Sequence, residues 1–190
     1  MPGREEAPIA SRIPGVVARP ADPRSNDAVA IVTGGSCPPG REVARQLASE
    51  GYAVVVVYLR EQGEAEATVE EILAARGAAV AVRADIADEL DVERLFAEAA
   101  AAFGGVDVVV HTAMRETAVV NRQAARRLRR GGAIIDVSSS EAIDPGLADE
   151  LRARDISVNG VAPGLEPPGA RHGVADLIGL LDRWRQRPGW

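Results

Sequence analysis

Short apolar runs alternate with amphipathic segments along most of this sequence. The run from Tyr52 to Tyr58 is continuously apolar with valines at its centre, which is typical of a strand buried on both faces. The segment 88–103 instead repeats its apolar residues at helical spacing. Because such strands and helices alternate, the pattern predicts an α/β fold, a Rossmann-like doubly wound parallel sheet of about six strands with helices on both faces.

The same pattern divides the chain into elements and domains. The predicted strands cover 28–32, 52–58, 79–84, 106–110, 133–137 and 156–161. The predicted helices cover 64–76, 88–103, 117–130, 147–154 and 173–185. Residues 1–27 are rich in proline and carry little periodicity, so we expect a flexible N-terminal leader. One domain is expected over 28–185, shortened at its C-terminal side, followed by a tail at 186–190.

Composition narrows the classes of function. The formal net charge is −6 and all 22 basic residues are arginines, which argues against nucleic acid as a main partner. The two histidines and one cysteine lie far apart without metal-binding spacing, so no metal is expected. The single Cys37 favours a reducing compartment, and no apolar run reaches the ~18 residues of a membrane span, so we expect a cytoplasmic protein without membrane contact.

Candidate catalytic residues are expected at the ends of the predicted strands, because ligands of a doubly wound sheet bind outside the carboxyl ends of its strands. His111 follows the fourth strand, and Ser138, Ser139, Ser140 and Glu141 follow the fifth. An imidazole titrates near neutral pH, so His111 is either an acid–base group or a histidine buried for structural reasons. A serine nucleophile needs a neighbouring base, and the sequence has no Gly-x-Ser-x-Gly turn of the hydrolase type.

A series of short motifs extends between residues 28 and 181. They are Thr33-Gly34, Ala84-Asp85-Ile86, Phe103-Gly104-Gly105-Val106-Asp107, Asn121, the serine-bearing stretch 132–139 and the stretch 156–164 that ends in Pro163-Gly164. In this order the motifs resemble the short-chain dehydrogenase/reductase family, nearest to the 3-oxoacyl-carrier-protein reductases. The resemblance implies a nucleotide-binding turn after the first strand and a substrate side at the later strands.

The resemblance also implies which residues would contact a dinucleotide cofactor. They are Thr33, Gly34, Ser36, Gly40, Arg60, Asp85, Ile86, Ala113, Pro163 and Gly164. Family members that prefer NAD carry an acid after the second strand, where this chain has Tyr58 followed by Arg60, so NADP is favoured. Against NADP, Cys37 stands where NADP enzymes of the family often have arginine, and Arg60 is alternatively a plain surface residue.

The nucleotide turn departs from the family pattern Thr-Gly-x-x-x-Gly-x-Gly. Pro38 stands at its second glycine, and Pro39 follows. Proline has no N–H to donate to a pyrophosphate, so dinucleotide binding is expected to be weakened or lost. The alternative is that a proline simply starts the helix, while Gly40 still permits close helix packing. On the nicotinamide side, Met114 replaces another family glycine.

The family's Tyr-x-x-x-Lys pair is missing from this sequence. The chain has no lysine, and its two tyrosines, Tyr52 and Tyr58, both belong to the second predicted strand. In the family the tyrosine transfers the hydroxyl proton and the lysine lowers the pKa of that tyrosine. The resemblance leaves Ser139 as the substrate-orienting serine and Asn121 as a proton-relay residue, and His111 is added here as a third catalytic candidate.

Three functions remain open on this evidence. The first is a degenerate reductase-like protein without hydride transfer, which binds a small molecule or serves a related protein as partner subunit. The second is a non-redox enzyme, an isomerase, cyclase or dehydratase, that uses His111, Arg115, Asp136, Ser139 and Glu141. The third is an NADP-dependent oxidoreductase of 3-oxoacyl-type substrates with an unusual proton donor. Because the helices that pair family members are short here, we expect a capped monomer or a non-standard dimer.

Overall fold

One parallel sheet organises the part of the chain that the computed structural model describes, residues 28–112, 117–136 and 145–160. Its elements are β1 (Val29–Thr33), α1 (Pro38–Ser49), β2 (Ala53–Tyr58), α2 (Gln62–Ala74), β3 (Ala78–Arg83), α3 (Glu89–Phe103), β4 (Val108–His111), α4 (Ala118–Arg127), β5 (Ala133–Asp136), α5 (Pro145–Ala153) and β6 (Ser157–Gly160). The six strands lie in the order β3-β2-β1-β4-β5-β6, all parallel. The Rossmann-like fold prediction is therefore confirmed, and the strand order reverses between β1 and β4, where such folds form their ligand crevice.

Apolar side chains cover both faces of this sheet. Val55 and Val57 of β2 pack into a cluster with α3 and α4, whereas Val54 and Val56 pack into a second cluster with α1 and α2. All four valines are at most 1% exposed. Burial on both faces explains why β2 is apolar at successive positions instead of alternating with polar residues.

The fourth helix was predicted over 117–130, but α4 is shorter and ends at Arg127. Leu128 has an extended backbone, and the N–H of Arg129 donates to the Val106 carbonyl at 2.8 Å instead of continuing the helix. The guanidinium of Arg154 donates to the carbonyls of Ala125 and Leu128, each at 2.6 Å. An arginine from the α5–β6 connection thus satisfies the carbonyls that the end of a helix leaves open.

A buried carboxylate joins the starts of β1 and β4. Asp107 is 3% exposed and accepts hydrogen bonds from the Val29 N–H at 2.8 Å and from Arg129 at 2.9 Å. Burial raises the pKa of Asp107, and these two donors oppose the rise only in part. This contact lies at the amino ends of the strands and fixes the sheet edge opposite the ligand crevice.

Several predicted segments lie outside the described residues, namely the leader 1–27, the helix 173–185 and the tail 186–190. The described helices include none that is both long enough and apolar enough to span a bilayer. In the same three ranges, His, Cys, Asp and Glu side chains do not form a group of three or more suited to a metal ion.

Candidate functional site

A cavity of about 360 Å³ opens at the carboxyl ends of β1, β2 and β3. Its described lining consists of Gly34, Ser36, Cys37, Val57, Tyr58, Leu59, Arg60, Glu61, Ala84 and Ile86. Four predicted cofactor residues are thereby brought together, Gly34, Ser36, Arg60 and Ile86. Leu59, Glu61 and Ala84 were not predicted, although each is a direct sequence neighbour of a residue that was.

The turn between β1 and α1 forms the floor of this cavity. The N–H of Gly35 donates to the Val57 carbonyl at 3.1 Å, and the N–H of Cys37 donates to the Gly34 carbonyl at 3.0 Å. Gly34 adopts a left-handed backbone with φ of 71°. A Cβ at Gly40 would lie 2.2 Å from the Gly34 carbonyl oxygen and 2.6 Å from Oγ1 of Thr112. The turn therefore packs directly on the first residues of α1, and only glycine fits at position 40.

The first turn of α1 has few hydrogen-bond donors. Cys37 is the N-cap residue and its side chain makes no capping hydrogen bond, while Pro38 and Pro39 occupy the first two helical positions. The Arg41 N–H already donates to the Cys37 carbonyl at 2.8 Å. Of the first three helical positions, only Gly40 carries an N–H, so the prolines start the helix and also leave it two donors short. Weakened dinucleotide binding stays a prediction.

The wall of the cavity formed by the β3–α3 connection is held by Asp91. Its carboxylate accepts the Asp85 N–H at 2.9 Å and a guanidinium N–H of Arg94 at 2.8 Å. The Asp85 backbone contact, followed by Arg94, lowers the pKa of Asp91. The Asp85 carboxylate, predicted as a cofactor contact, accepts the Ala87 N–H at 3.1 Å. The spacing of Asp88, which caps α3, and Asp91 was the sequence signal that could have revealed this brace.

Two arginines lie at the ends of β2 and β3, and of these Arg60 lines the cavity together with Glu61. Arg60 is exposed, and its backbone N–H contacts the Glu61 carboxylate at 3.4 Å. Arg83 pairs with Tyr58 in the sheet register, and its Nε donates to the Leu59 carbonyl at 3.2 Å. Arg83 was not predicted, because nothing in the sequence shows that its side chain turns back over the end of β2.

His111 connects β1, β4 and α4 through a chain of hydrogen bonds. Its Nδ1 lies 3.2 Å from Oγ1 of Thr33, and its Nε2 lies 3.0 Å from Oδ1 of Asn121. Nδ2 of Asn121 donates to Oγ1 of Thr117 at 3.3 Å. Because the Asn121 oxygen can only accept, Nε2 of His111 carries the proton and Nδ1 accepts from the Thr33 hydroxyl.

The surroundings of His111 stabilise the neutral imidazole. The side chain is fully buried. Burial lowers the pKa of His111, while the Asn121 contact and the nearby carboxylate of Asp136 oppose that effect. These contacts agree with the structural alternative for His111, since both ring nitrogens are engaged inside the protein. A catalytic role for His111 stays a prediction, as does the relay role of Asn121.

Other predicted site residues fall in parts of the chain that the structure does not describe. Ser139, Ala113, Pro163 and Gly164 are among them, as are Arg115 and Glu141 from the non-redox hypothesis. Thr33, which was predicted on the cofactor side, is fully buried and contacts His111. Its place at the end of β1 makes it part of the support beneath the turn.

Comparison with known proteins agrees with this geometry. The family model for short chain dehydrogenases matches residues 28–128. The chain is 34% identical over 179 residues to the 3-oxoacyl-[acyl-carrier-protein] reductase FabG of Staphylococcus aureus, covering 71% of this chain and 73% of the relative. It is 33% identical over 178 residues to an uncharacterized oxidoreductase of Methylorubrum extorquens, covering 72% of each.

Solved structures give the same result. A short-chain dehydrogenase from Burkholderia cenocepacia in complex with NADP is 30% identical, with a TM-score of 0.62, and the match covers 80% of this chain and 82% of that one. A metagenomic short-chain oxidoreductase in complex with NADP is 26% identical, with a TM-score of 0.62 and coverage of 83% and 91%. From its fold, its nucleotide-type turn and these relatives, the chain belongs to the short-chain dehydrogenase/reductase family.

Proposed function

We propose that this protein binds NADP(H) in the cavity at the ends of β1, β2 and β3 and acts as an oxidoreductase on a carbonyl substrate of the 3-oxoacyl class. The observation that carries the proposal is the closed β1–α1 turn, in which Gly40 leaves no room for a Cβ beneath the cavity. Relatives with 3-oxoacyl reductase activity in their names and neighbours solved with NADP support the same assignment.

The residues of the cavity suit the adenosine part of such a cofactor. Ala84 and Ile86 are 2% and 6% exposed and offer an apolar wall for an aromatic base. Arg60 offers a cation for a phosphate on the ribose, and no acid occupies the position of Tyr58. The Gly40 N–H at the start of α1 offers a donor for the pyrophosphate.

When bound, NADPH would supply a hydride for the carbonyl carbon, and the chain's own residues would bind and orient. Asn121 is fixed by His111 at the end of β4, and the family resemblance gives Ser139 the task of orienting the carbonyl. Neither tyrosine is placed to protonate the product: Tyr52 is 1% exposed in the core, and Tyr58 lines the adenosine cavity. We therefore assign the proton to water, and turnover slower by about 10²–10⁴-fold than with a positioned acid is expected.

A second candidate is a cofactor-binding subunit without hydride transfer. The observation that favours it is the absence of lysine from the sequence, together with the positions of both tyrosines. The non-redox alternative has less support, since its main acid–base candidate, His111, is fully buried with both ring nitrogens engaged.

Two measurements on the full chain separate these candidates. The first is a fluorescence titration with NADPH, in which Arg60→Ala is expected to weaken binding about tenfold. Arg130→Ala serves as the matched control. Arg130 lies before the amino end of β5, on the side of the sheet away from the cavity, and pairs with Asp155. The second follows NADPH oxidation with a 3-oxoacyl thioester against a protein-free blank. Binding with slow turnover supports the oxidoreductase, binding without turnover supports the subunit, and absence of binding contradicts both.

A further inference from the structure

We infer that the outer face of helix α3 binds a second copy of this chain, in an antiparallel helix pair whose two-fold axis passes through Ala97. The inference goes beyond the proposed function and does not depend on it, because it concerns a helix surface and not the cavity. It commits to one occupant of that surface, the same face of α3 in another molecule.

The outer face of α3 lies opposite the side that packs on the sheet. The core-facing side carries the buried residues Val92, Leu95, Phe96 and Ala99. Because each residue turns the helix by about 100°, Ala97 lies on the side directly opposite, and Leu90 and Gly104 follow the same line one heptad before and after it. The outer face consists of the exposed residues Leu90, Glu93, Arg94, Ala97, Ala100, Ala101 and Gly104.

Side-chain size on this outer face changes at Ala97, because its large residues precede Ala97 and its small residues follow it. A two-fold axis through Ala97 therefore sets each large residue of one copy against a small residue of the other. A parallel pair would instead set each charged residue beside its own copy, which like charges disfavour. The pairs opposed in the antiparallel arrangement are Leu90 with Gly104, Glu93 with Ala101, and Arg94 with Ala100.

The pair of Leu90 with Gly104 supplies the apolar contact at each end of this interface. Leu90 is 75% exposed and is the one large apolar side chain so exposed among the described residues. A Cβ added at Gly104 would meet only Nη2 of Arg129, at 3.7 Å, so the surface there is open to a large side chain. Leu90 of one copy fills this space on the other, which removes its apolar surface from water.

Charges at the two ends of α3 favour the same antiparallel arrangement. Its first turn is acidic, with Glu89 exposed, whereas the guanidinium of Arg129 lies beside Gly104 at the other end and is 43% exposed. The two-fold axis brings Glu89 of each copy towards Arg129 of the other. Such complementary charges fix the register of an interface and disfavour the parallel alternative.

Sedimentation equilibrium of the full chain tests the inference. One helix of 15 residues is about 22 Å long and offers less area than a standard interface, so we expect a dimer with a Kd on the order of 10 μM. Ala97→Glu sets two carboxylates against each other at the axis and is expected to weaken association at least about tenfold. Ala74→Glu is the matched control, because Ala74 is an exposed alanine at the end of α2, and it should leave the Kd unchanged.

Disulfide formation gives a second measurement that does not depend on a loss of association. In a Cys37→Ser background, Ala97→Cys is expected to form a covalent dimer on mild oxidation, because residues on a two-fold axis approach within disulfide distance. Ala74→Cys in the same background should stay monomeric. If circular dichroism shows that Ala97→Glu does not fold, this pair of cysteine variants decides the inference.

Association that Ala97→Glu weakens, together with a disulfide specific to position 97, supports the inference. A monomer at every concentration up to about twenty times that Kd overturns it. It is also overturned if the dimer survives Ala97→Glu, and loss of that dimer in Arg122→Glu would then assign the interface to α4, where Arg122 is exposed.

Discussion

The half of the sheet formed by β1 to β3 differs from the half formed by β4 to β6. The first has strands of 5 or 6 residues and is flanked by helices of 12, 13 and 15 residues. The second has strands of 4 residues and helices of 10 and 9 residues. The family match also stops at residue 128, before β5 begins. Within the described residues, the longer strands and helices therefore belong to the half formed by β1 to β3, and the shorter ones to the half formed by β4 to β6.

The cavity and the catalytic candidate Asn121 lie in different halves of the sheet. The described lining of the cavity comes from the β1–α1 turn and the ends of β2 and β3. The chemistry of the family needs residues beyond β4, where this sequence lacks the tyrosine–lysine pair. His111 marks the border, because it joins Thr33 of the first half to Asn121 of the second.

The largest effect is expected from Gly40→Ala, which adds a Cβ where α1 packs against the β1–α1 turn. Its Cβ would meet the Gly34 carbonyl oxygen at 2.2 Å, and backbone cannot move aside as a flexible side chain would. We expect a loss of about 2–4 kcal/mol in the free energy of unfolding and loss of measurable NADPH binding. Chemical denaturation and titration check both.

The matched control is Gly63→Ala in the first turn of α2, where an added Cβ meets nothing within 4 Å. It is expected to raise stability by about 0.5–1 kcal/mol and to leave NADPH binding unchanged. Equal effects of the two glycine substitutions would contradict the close packing described for the turn.

The next effect is expected at the border between the halves. His111→Leu leaves the Thr33 hydroxyl and the Asn121 amide without their buried partner, which costs about 2–3 kcal/mol of unfolding free energy. His111→Asn is expected to cost less, because an amide can still form one of the two bonds. Urea unfolding of both variants measures the difference, and equal stability of the Leu variant and wild type would contradict it.

His111 is also expected to make the free energy of unfolding depend on pH. Burial lowers the folded-state pKa of His111 below its ordinary 6.5, so the unfolded chain takes up the proton first as the pH falls. The stability contributed by the neutral ring is complete above pH 6.5 and declines below it. Stability of the wild type should therefore fall more steeply than that of His111→Asn between neutral and mildly acidic pH. Parallel profiles would show that His111 is not the group responsible.

A smaller effect is expected from Asp91→Ala, which removes the brace of the cavity wall formed by the β3–α3 connection. The Asp85 N–H loses its acceptor, and we expect a loss of about 1 kcal/mol together with weaker binding of adenosine 2′,5′-bisphosphate. Glu98→Ala is the control, because Glu98 contacts the same Arg94 but not Asp85. Thermal unfolding and calorimetry separate the brace from the ion pair, and similar losses in both variants would exclude a special role for Asp91.

The smallest effect is expected at the far edge of the second half. Arg130 and Asp155 form an ion pair whose side chains are 75% and 65% exposed, so Arg130→Ala should change stability by less than about 0.5 kcal/mol. The neighbouring Arg129→Ala should cost more, because it leaves the buried Asp107 carboxylate without its cation. Thermal unfolding of the two variants gives the comparison, and the reverse order would contradict it.

The sequence predicted the fold and the location of the cavity because both follow from local patterns. Apolar runs define the strands, and the Thr33-Gly34 turn marks the end of β1. Contacts that depend on register were not predictable in this way. The bond from His111 to Thr33 requires that β4 lie beside β1 with those two residues opposite, and the Asp91 brace requires the path of a loop. The roles predicted for residues such as Ser139 stay predictions, because these residues lie outside the described ranges.

The exposed position of Cys37 has a practical consequence. It is the sole thiol of the chain and lines the cavity at the start of α1. A fluorophore attached through maleimide chemistry would therefore label one defined point beside this cavity without further engineering. The emission of that probe offers a direct optical signal of ligand entry into the native sequence.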